Sequence, residues 1–309
     1  MRNVGGQAMK DLIILGNGMA GMTAALYAKR ANLDFKIVGR DEYDFGQIGN
    51  AILVENFPCA ESQSGFDLAM KLHDQLVANE IEIEEHTIKL VRKVNNMFII
   101  DYEDSSMDEA HAIIYALGAR YRTLNFEAKG SVIIHHCALC DGPVYKNRTV
   151  AVIGGGDVAF TQAEYLSKIC KQVIILMCDR NVTAAPSTFK RVNELENVKI
   201  VYDFPVTYIS NSNGGYFLGS EGIRGFYSVD GIFVAIGMIP NTQEKIMHSQ
   251  IATDTFGYIT ADENCKSTCD GFFVAGDVRA KAVRQALTAA ADGANAVNSA
   301  INYLKMVKQ

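Results

Sequence analysis

Leu12-Ile13-Ile14-Leu15-Gly16-Asn17-Gly18-Met19-Ala20-Gly21 decides the fold: a short apolar run that breaks into a G-x-G-x-x-G loop. A helical pattern follows through about Arg30, with Met19, Met22 and Leu26 on one face, and then a second apolar run, Phe35 to Val38. Strand, glycine loop, helix and strand in this order suit a dinucleotide pyrophosphate. The glycines allow a tight turn and close backbone approach, and the helix start offers free N–H groups. Gly16, Gly18 and Gly21 are therefore expected to carry a nucleotide. The acidic residue expected near the end of the second strand, for the ribose, is replaced by Gly39, which leaves Asp41 or Glu42 as the nearest substitute.

Farther along, Phe66 to Val77 reads as an amphipathic helix entered from Ser64 and Gly65, and Ile81 to Tyr115 as strand and hairpin material returning to the sheet. The opening pattern then recurs. Thr149 to Ile153 is a strand, Gly154 to Ala159 is G-x-G-x-x-A, Phe160 to Ile169 is helical and Val173 to Met177 is a strand. Strands at 198–202 and 231–236 complete a smaller domain. From about residue 246 only one strand, a Gly276-Asp277 turn and a long Ala-rich helix from about Ala282 to Met306 remain, too little for a domain of its own. The expected fold is α/β with two Rossmann-like dinucleotide-binding domains: residues 1–118 and 246–309 form the first, and 119–245 form a second inserted into it. Residues 1–8 read as an extension without periodicity.

The chain has 309 residues, is 49% hydrophobic and carries a formal net charge of -6, with no Lys/Arg run long enough to follow a nucleic-acid backbone. No apolar run reaches bilayer length and the first residues lack a signal-peptide pattern, so a cytoplasmic protein with small-molecule or protein partners is expected. Seven cysteines spread over this length do not form a secreted disulfide framework. Cys137 and Cys140, two residues apart, can close into a disulfide, and Asp141 beside them can move the protons that thiol exchange requires. A zinc site built from His135, His136, Cys137 and Cys140 with Cys265 and Cys269 is the competing reading. It is outweighed because Cys-x-x-x-Cys makes a poor zinc knuckle, so no metal is expected. Cys59, Cys170 and Cys178 read as small buried hydrophobes.

Gly16 to Gly21, Gly46-Gln47, Glu55 to Pro58, Cys137 to Gly142, Gly154 to Ala159, Gly237 to Asn241, Gly276 to Val278 and Arg284 to Ala286, in this order, make the chain resemble the low-molecular-weight thioredoxin reductases. The resemblance runs from Met9 essentially to the end. It implies an FAD enzyme and a homodimer whose partner is thioredoxin. It implies further that Gly16, Gly18 and Gly21 hold the FAD pyrophosphate, Asp277 the ribitol and phosphate side, and that Gln47, Asn56, Arg284, Gln285 and Ala286 surround the isoalloxazine. It makes Cys140 the thiol nearest the flavin, Cys137 the nucleophile toward the partner and Asp141 the general acid and base.

One part of the family pattern is missing. NADPH-using members carry a His-Arg-Arg run and a further Arg after the second strand of the inserted domain, whereas Met177, Cys178, Asp179 and Thr183 stand at those positions here. Losing several charge-assisted bonds, each worth about 1.5 to 3 kcal/mol, weakens 2′-phosphate binding by orders of magnitude. Three donors stay open: NADH held by Gly154, Gly156 and Asp179; NADPH in an altered pose on Arg180 or Lys190-Arg191; and reduced ferredoxin, as in the ferredoxin-dependent flavin thioredoxin reductases that the chain resembles in keeping the dithiol without the nucleotide grip. Two other functions fit the same residues, a small-molecule dithiol oxidase using oxygen and a flavin-bound redox sensor.

Overall fold

The structure is a computed structural model that describes residues 9–51, 54–212, 214–242, 246–247 and 251–308; the expected extension 1–8 lies outside the described residues. The chain opens with β1 (Lys10–Leu15), α1 (Met19–Arg30), β2 (Phe35–Gly39), α2 (Gly65–Ala78), β3 (Ile83–Glu85), β4 (Ile88–Val94), β5 (Met97–Tyr102) and β6 (Met107–Tyr115). The short strand β7 (Ala119–Tyr121) leads into β8 (Glu127–Lys129), α3 (Ala138–Asp141), β9 (Thr149–Ile153), α4 (Asp157–Ser167), β10 (Gln172–Leu176), α5 (Pro186–Asn193), β11 (Val198–Val201), β12 (Tyr208–Ser212), β13 (Gly215–Gly219), β14 (Phe226–Val229) and β15 (Gly231–Val234). After β16 (Met238–Pro240) come β17 (Ile246–Met247), β18 (Phe272–Val274) and α6 (Ala286–Val307). Two compact units result: one of the described residues up to Arg120 and from Ile239 onward, the other of Tyr121–Met238.

In the first unit β1 is central, with β2 and β3 on one side and β6 on the other, all parallel. The first half of β6 pairs antiparallel with β5, and its last three residues pair parallel with β18. One strand thus joins a parallel nucleotide-type sheet to an antiparallel meander. β1 is apolar throughout because both faces are covered. Leu12 and Ile14 pack in a cluster with Met22, Leu76, Ala296 and Val297 of the helices, while Ile13 and Leu15 pack with Phe98, Tyr102 and Phe272.

The second unit repeats the logic. β11, β10, β9 and β15 form a parallel sheet. One face packs on α4 and α5 through Phe160, Leu166 and Val192. The other packs on a small sheet of β14, β13, β12 and β8 through Ile209, Leu218 and Val229.

Two helix starts differ from the sequence reading. α4 begins at Asp157 instead of Phe160, because Gly156 is already extended (φ -100°, ψ 178°) and the helix follows at once. α6 begins at Ala286 instead of Ala282, because Gln285 and Thr288 form a capping box that sets the first turn. The expected entry to α2 at Ser64 is observed, its hydroxyl accepting the Asp67 N–H at 3.0 Å. No helix among the described residues is long and apolar enough to cross a membrane.

A charged group sits inside the first unit. The Lys36 ammonium on β2 is 2.8 Å from Asp108 on β6 and 2.7 Å from Glu84 on β3, and the Asp108 carboxylate also accepts from the Tyr102 hydroxyl at 2.7 Å. Burial alone would lower the Lys36 pKa, but the hydrogen bonds to Asp108 and Glu84 outweigh it and hold the group above its ordinary value. A lysine raised in the folded state contributes its stabilisation fully below the unfolded pKa of about 10.4 and loses it as pH climbs through the folded value. Lys36→Met, which leaves Asp108 buried without its cation, is expected to lower the unfolding free energy by about 3 to 5 kcal/mol at neutral pH. Urea titration checks this, and an unmoved midpoint contradicts it.

Candidate functional site

The glycine loop after β1 is closed by contacts that exclude side chains. Gly16 has φ +107°, and a Cβ there would stand 2.5 Å from the Ala116 carbonyl; a Cβ on Gly21 would overlap the Gly16 carbonyl oxygen. α1 therefore starts hard against β1. Its N-cap, Gly18, is extended and supplies no side-chain cap, and no acidic residue occupies the first turn, so the helix start keeps its amide donors for an anion.

The place expected for a ribose acid is filled from within. A Cβ at Gly39 would meet the Asn17 side chain at 2.6 Å. The Asn17 amide is itself held there by donating to the Asp41 and Glu42 carbonyls at 2.8 and 3.2 Å. Asp41 lies just beyond, one carboxylate oxygen accepting the Tyr43 N–H at 2.8 Å, while Glu42 is engaged by His73 at 2.9 Å. The sequence signal for this arrangement is the pair Asn17 and Gly39, readable only once the loop is folded.

Residues from the end of the first unit collect around a buried carboxylate that sequence reasoning missed. Asp292 of α6 accepts from the Gly276 N–H at 3.1 Å, from Lys281 at 2.8 Å and from Arg279 at 2.5 Å. This fixes the turn at Gly276, whose φ is +79°. Asp277 follows it, with Oδ1 buried and without a hydrogen-bond partner. Lys281 is 3.9 Å from that oxygen, beyond hydrogen-bond reach. Burial pushes the Asp277 carboxyl up, Lys281 and Arg284 oppose the shift, and Asp292 adds to it. Arg284 lies over the Tyr258 ring at 3.9 Å and its Nε donates to the Asp277 carbonyl at 3.4 Å. Gln285 caps α6 and its side-chain oxygen accepts from Asn56 at 3.2 Å, next to Ala286, the first helical residue. The Gln47 amide donates to the Ala119 carbonyl at 3.0 Å. A glycine cradle, a helix start without a side-chain cap and an orphaned buried carboxylate oxygen together fit a dinucleotide with a polyol arm such as FAD.

In the second unit Cys137 and Cys140 are joined by a disulfide, their Cα atoms 5.3 Å apart. The intervening chain is a single turn, α3, entered from Cys137 in extended conformation, with the Asp141 N–H returning to the Cys137 carbonyl at 3.0 Å. The approach to the turn is pinned to β15: the His135 N–H donates to Ile232 and its carbonyl accepts from Val234. Asp141 is 7% exposed, and its Oδ1 is buried without a hydrogen-bond partner. His135 and His136 point to different neighbours. His135 sits between Tyr145 and Asp141, whereas His136 stacks on Tyr121 with centroids 3.9 Å apart and donates from Nδ1 to the Val234 carbonyl at 2.9 Å. Burial holds the His136 pKa below its ordinary value, which keeps the ring neutral for that arrangement.

The second glycine loop is also closed by packing. A Cβ at Gly154 would meet the Ala235 carbonyl at 2.5 Å, and one at Gly155 would meet the Met177 methyl at 2.7 Å. Gly156 serves as the extended N-cap of α4. The Asp179 carboxylate accepts from Asn181 N–H at 2.8 Å. Arg180 is paired with Asp203 at 2.5 Å and Arg191 with Glu164 at 3.0 Å, so these two cations are already engaged.

The remaining cysteines correct part of the sequence reading. Cys170 is buried, and burial pushes its thiol up to about 11, but Cys59 and Cys178 are exposed. Cys59 lies in a turn with φ +65° that leaves it no core to enter, and Cys178 follows the last core residue of the β10 segment, Met177. Cys265 and Cys269 are buried, Cys265 beside Arg279 at 3.6 Å and Cys269 beside Lys93 at 3.8 Å. Among the described residues no group of three His, Cys, Asp or Glu side chains is placed to hold a metal ion.

The family model for pyridine nucleotide-disulphide oxidoreductases matches residues 10–293. The chain is 34% identical to a thioredoxin reductase of Listeria monocytogenes over 307 residues, covering 97% of this chain and 95% of that one. It is also 34% identical over 302 residues to the 34.2 kDa protein in the rubredoxin operon of Clostridium pasteurianum, covering 95% and 97% of the two. The crystal structure of the thioredoxin reductase from Streptococcus pyogenes superposes with a TM-score of 0.87 at 30% identity, covering 97% of this chain and all of that one. With both glycine loops, the dithiol turn and nearly the whole length matched, the chain belongs to the pyridine nucleotide-disulphide oxidoreductase family.

Proposed function

We propose that the chain is an FAD-dependent disulfide oxidoreductase that reduces thioredoxin through Cys137 and Cys140 and draws its electrons from reduced ferredoxin. The observation that carries the reading is the Cys137–Cys140 disulfide followed directly by a buried carboxyl, Asp141, with one oxygen unpartnered. A disulfide paired with a proton acceptor that nothing else occupies suits thiol exchange better than a structural cross-link. The relatives named thioredoxin reductase support the partner.

FAD, when bound, supplies a centre that takes up electrons singly or in pairs and passes a pair to a disulfide. The chain's own residues hold and tune it. Gly16, Gly18 and Gly21 let the pyrophosphate approach the start of α1, Asp41 serves the adenosine ribose, and the free Oδ1 of Asp277 accepts from the ribitol side. Gln47, Asn56, Arg284, Gln285 and Ala286 border the isoalloxazine, where the N-terminus of α6 contributes a partial positive charge. At the dithiol, Cys137 attacks the partner disulfide, Asp141 takes the Cys140 proton, and Cys140 then resolves the mixed disulfide.

The loop after β10 supports the choice of donor. Met177 is buried against Gly155, Asp179 presents a carboxylate, and Arg180 and Arg191 are spent on Asp203 and Glu164. A 2′-phosphate would meet repulsion and no unpaired arginine there. The contact of Gly154 with the Ala235 carbonyl accounts for that glycine by packing. NADH on Gly154, Gly156 and Asp179 is the second reading, favoured by the exposure of Asp179, which can accept from a ribose hydroxyl.

Anaerobic mixing of the yellow holoprotein with reduced ferredoxin is expected to bleach the flavin absorbance within the turnover time, whereas micromolar NADPH leaves it unchanged. Rapid bleaching by NADPH contradicts the donor, and bleaching by NADH alone replaces it with the second reading. Cys137→Ser is expected to abolish thioredoxin reduction while the remaining Cys140 thiol still perturbs the flavin spectrum. An unaltered turnover rate rules out the assigned nucleophile.

A further inference from the structure

His135, two residues before the dithiol, is buried at 5% exposure and touches Asp141 and Tyr145 at once. Its Nδ1 stands 3.2 Å from Asp141 Oδ2, and its Nε2 is 2.7 Å from the Tyr145 hydroxyl. The ring is wedged against Phe233, with centroids 5.1 Å apart, and its backbone is bridged to β15, so it has little freedom to turn away. Burial pushes the Tyr145 phenol up to about 12, so the hydroxyl stays protonated at working pH and can donate to Nε2. An imidazole that accepts at Nε2 carries its proton on Nδ1, facing the carboxylate. Tyr145 thereby selects the tautomer that His135 presents to Asp141.

We propose that His135 is a positioning residue for the dithiol chemistry, holding Asp141 by Oδ2 so that Oδ1 stays free to take the Cys140 proton. The proposal rests on the thiol-exchange reading above and extends it to a residue outside the Cys-x-x-Cys-Asp segment. Two features give it weight. Oδ1 is buried and unpartnered, whereas Oδ2 lies 3.2 Å from the His135 ring nitrogen, so the two oxygens of one carboxylate are divided between orientation and proton uptake. The His135 ring is also fixed from its other side, by the Tyr145 hydroxyl at 2.7 Å and by the Phe233 ring, so the carboxylate meets it in one orientation.

The step is balanced. The Cys137 thiolate attacks a disulfide RSSR, forming Cys137–S–SR and releasing one RS⁻. Cys140 gives its proton to Asp141 Oδ1 and attacks the Cys137 sulfur, forming the Cys137–Cys140 disulfide and expelling the second RS⁻, which the Asp141 proton then neutralises. The dithiol is oxidised by two electrons and RSSR is reduced by two. Removing the His135 ring from beside Oδ2 leaves the carboxylate free to rotate, which slows the second attack and spares the first.

The test uses the full holoprotein, reduced with dithiothreitol, desalted and mixed with a chromogenic aromatic disulfide across pH. The two thiolate releases report the attack of Cys137 and the resolution by Cys140, and neither needs thioredoxin or an electron donor, so failure of the proposed partner leaves both readable. His135→Phe is expected to slow the second release about tenfold below pH 7 and to displace its pH midpoint, the first release being unchanged. His135→Asn, which keeps an N–H at the Nδ1 position, is expected to restore the second release to within about threefold, and Tyr145→Phe to lie between the two. A second release in His135→Phe with the original rate and midpoint overturns the proposal. So does an equal slowing of both releases that His135→Asn fails to rescue, since that pattern marks a purely structural residue.

Discussion

The first unit depends on two places where backbone meets backbone with no side chain between. A Cβ on Gly21 would overlap the Gly16 carbonyl oxygen, and a Cβ on Gly293 would overlap the Ala20 carbonyl oxygen. The first contact seats α1 on the loop after β1, and the second seats α6 on α1. Only glycine permits either approach. Gly276, whose Cβ would stand 3.0 Å from that of Ala20, lies in the same stack. The start of α1, the Gly276-Asp277 turn and the body of α6 are thus brought together by three absent side chains, and Asp292, one residue before Gly293, is carried into place to bind the turn. A nucleotide-binding surface assembled from residues some 270 positions apart needs this tolerance, because a loop closed by flexible side chains would not hold a pyrophosphate at fixed distance.

What could be read from the residues before the fold was known follows from how local each signal is. β1, α1, β2, β9 and β10 are short apolar runs beside glycine loops, and their pattern is complete within a dozen residues. α5 and the small sheet of β8 and β12 to β14 were not foreseen. α5 is eight residues with only Val192 buried, and Tyr208 to Ser212 is a largely polar strand that exists because Ile209 fits the back of the parallel sheet. Their conformation is decided by the surface they cover, a tertiary effect that overrides weak local preference. The start of α6 was placed four residues early because Ala282 and Val283 continue a helical composition, while the capping box at Gln285 decides the boundary.

The same distinction separates the parts of the candidate site. Cys137, Cys140, Asp141, Gly16, Gly18, Gly21 and Asp277 stand in contiguous motifs, and a motif carries its own context. Asp292, Lys281 and Arg279 do their work across a turn and a helix, and Asn17 fills the space over Gly39 from a strand away. His135 was legible only as a metal-ligand type. Its neighbours Tyr145 and Phe233 are 10 and 98 positions distant, so nothing local in the sequence distinguishes a ligand from a partner of Asp141.

The second glycine loop shows how closely the start of α4 is fitted to the sheet beneath it. Gly154 is required by the Ala235 carbonyl, a backbone contact, whereas the Met177 methyl that faces Gly155 is the end of a flexible side chain. The parallel strands are held by Val150, Val152, Val173 and Ile175 against Phe160, Ala163 and Leu166 of α4. Of the four positions after β10 where the family pattern has basic residues, Met177 is buried in that core, while Cys178, Asp179 and Thr183 are exposed. Substitutions at the three exposed positions touch surface electrostatics and leave packing alone, whereas a substitution at Met177 also alters the core between β10 and α4.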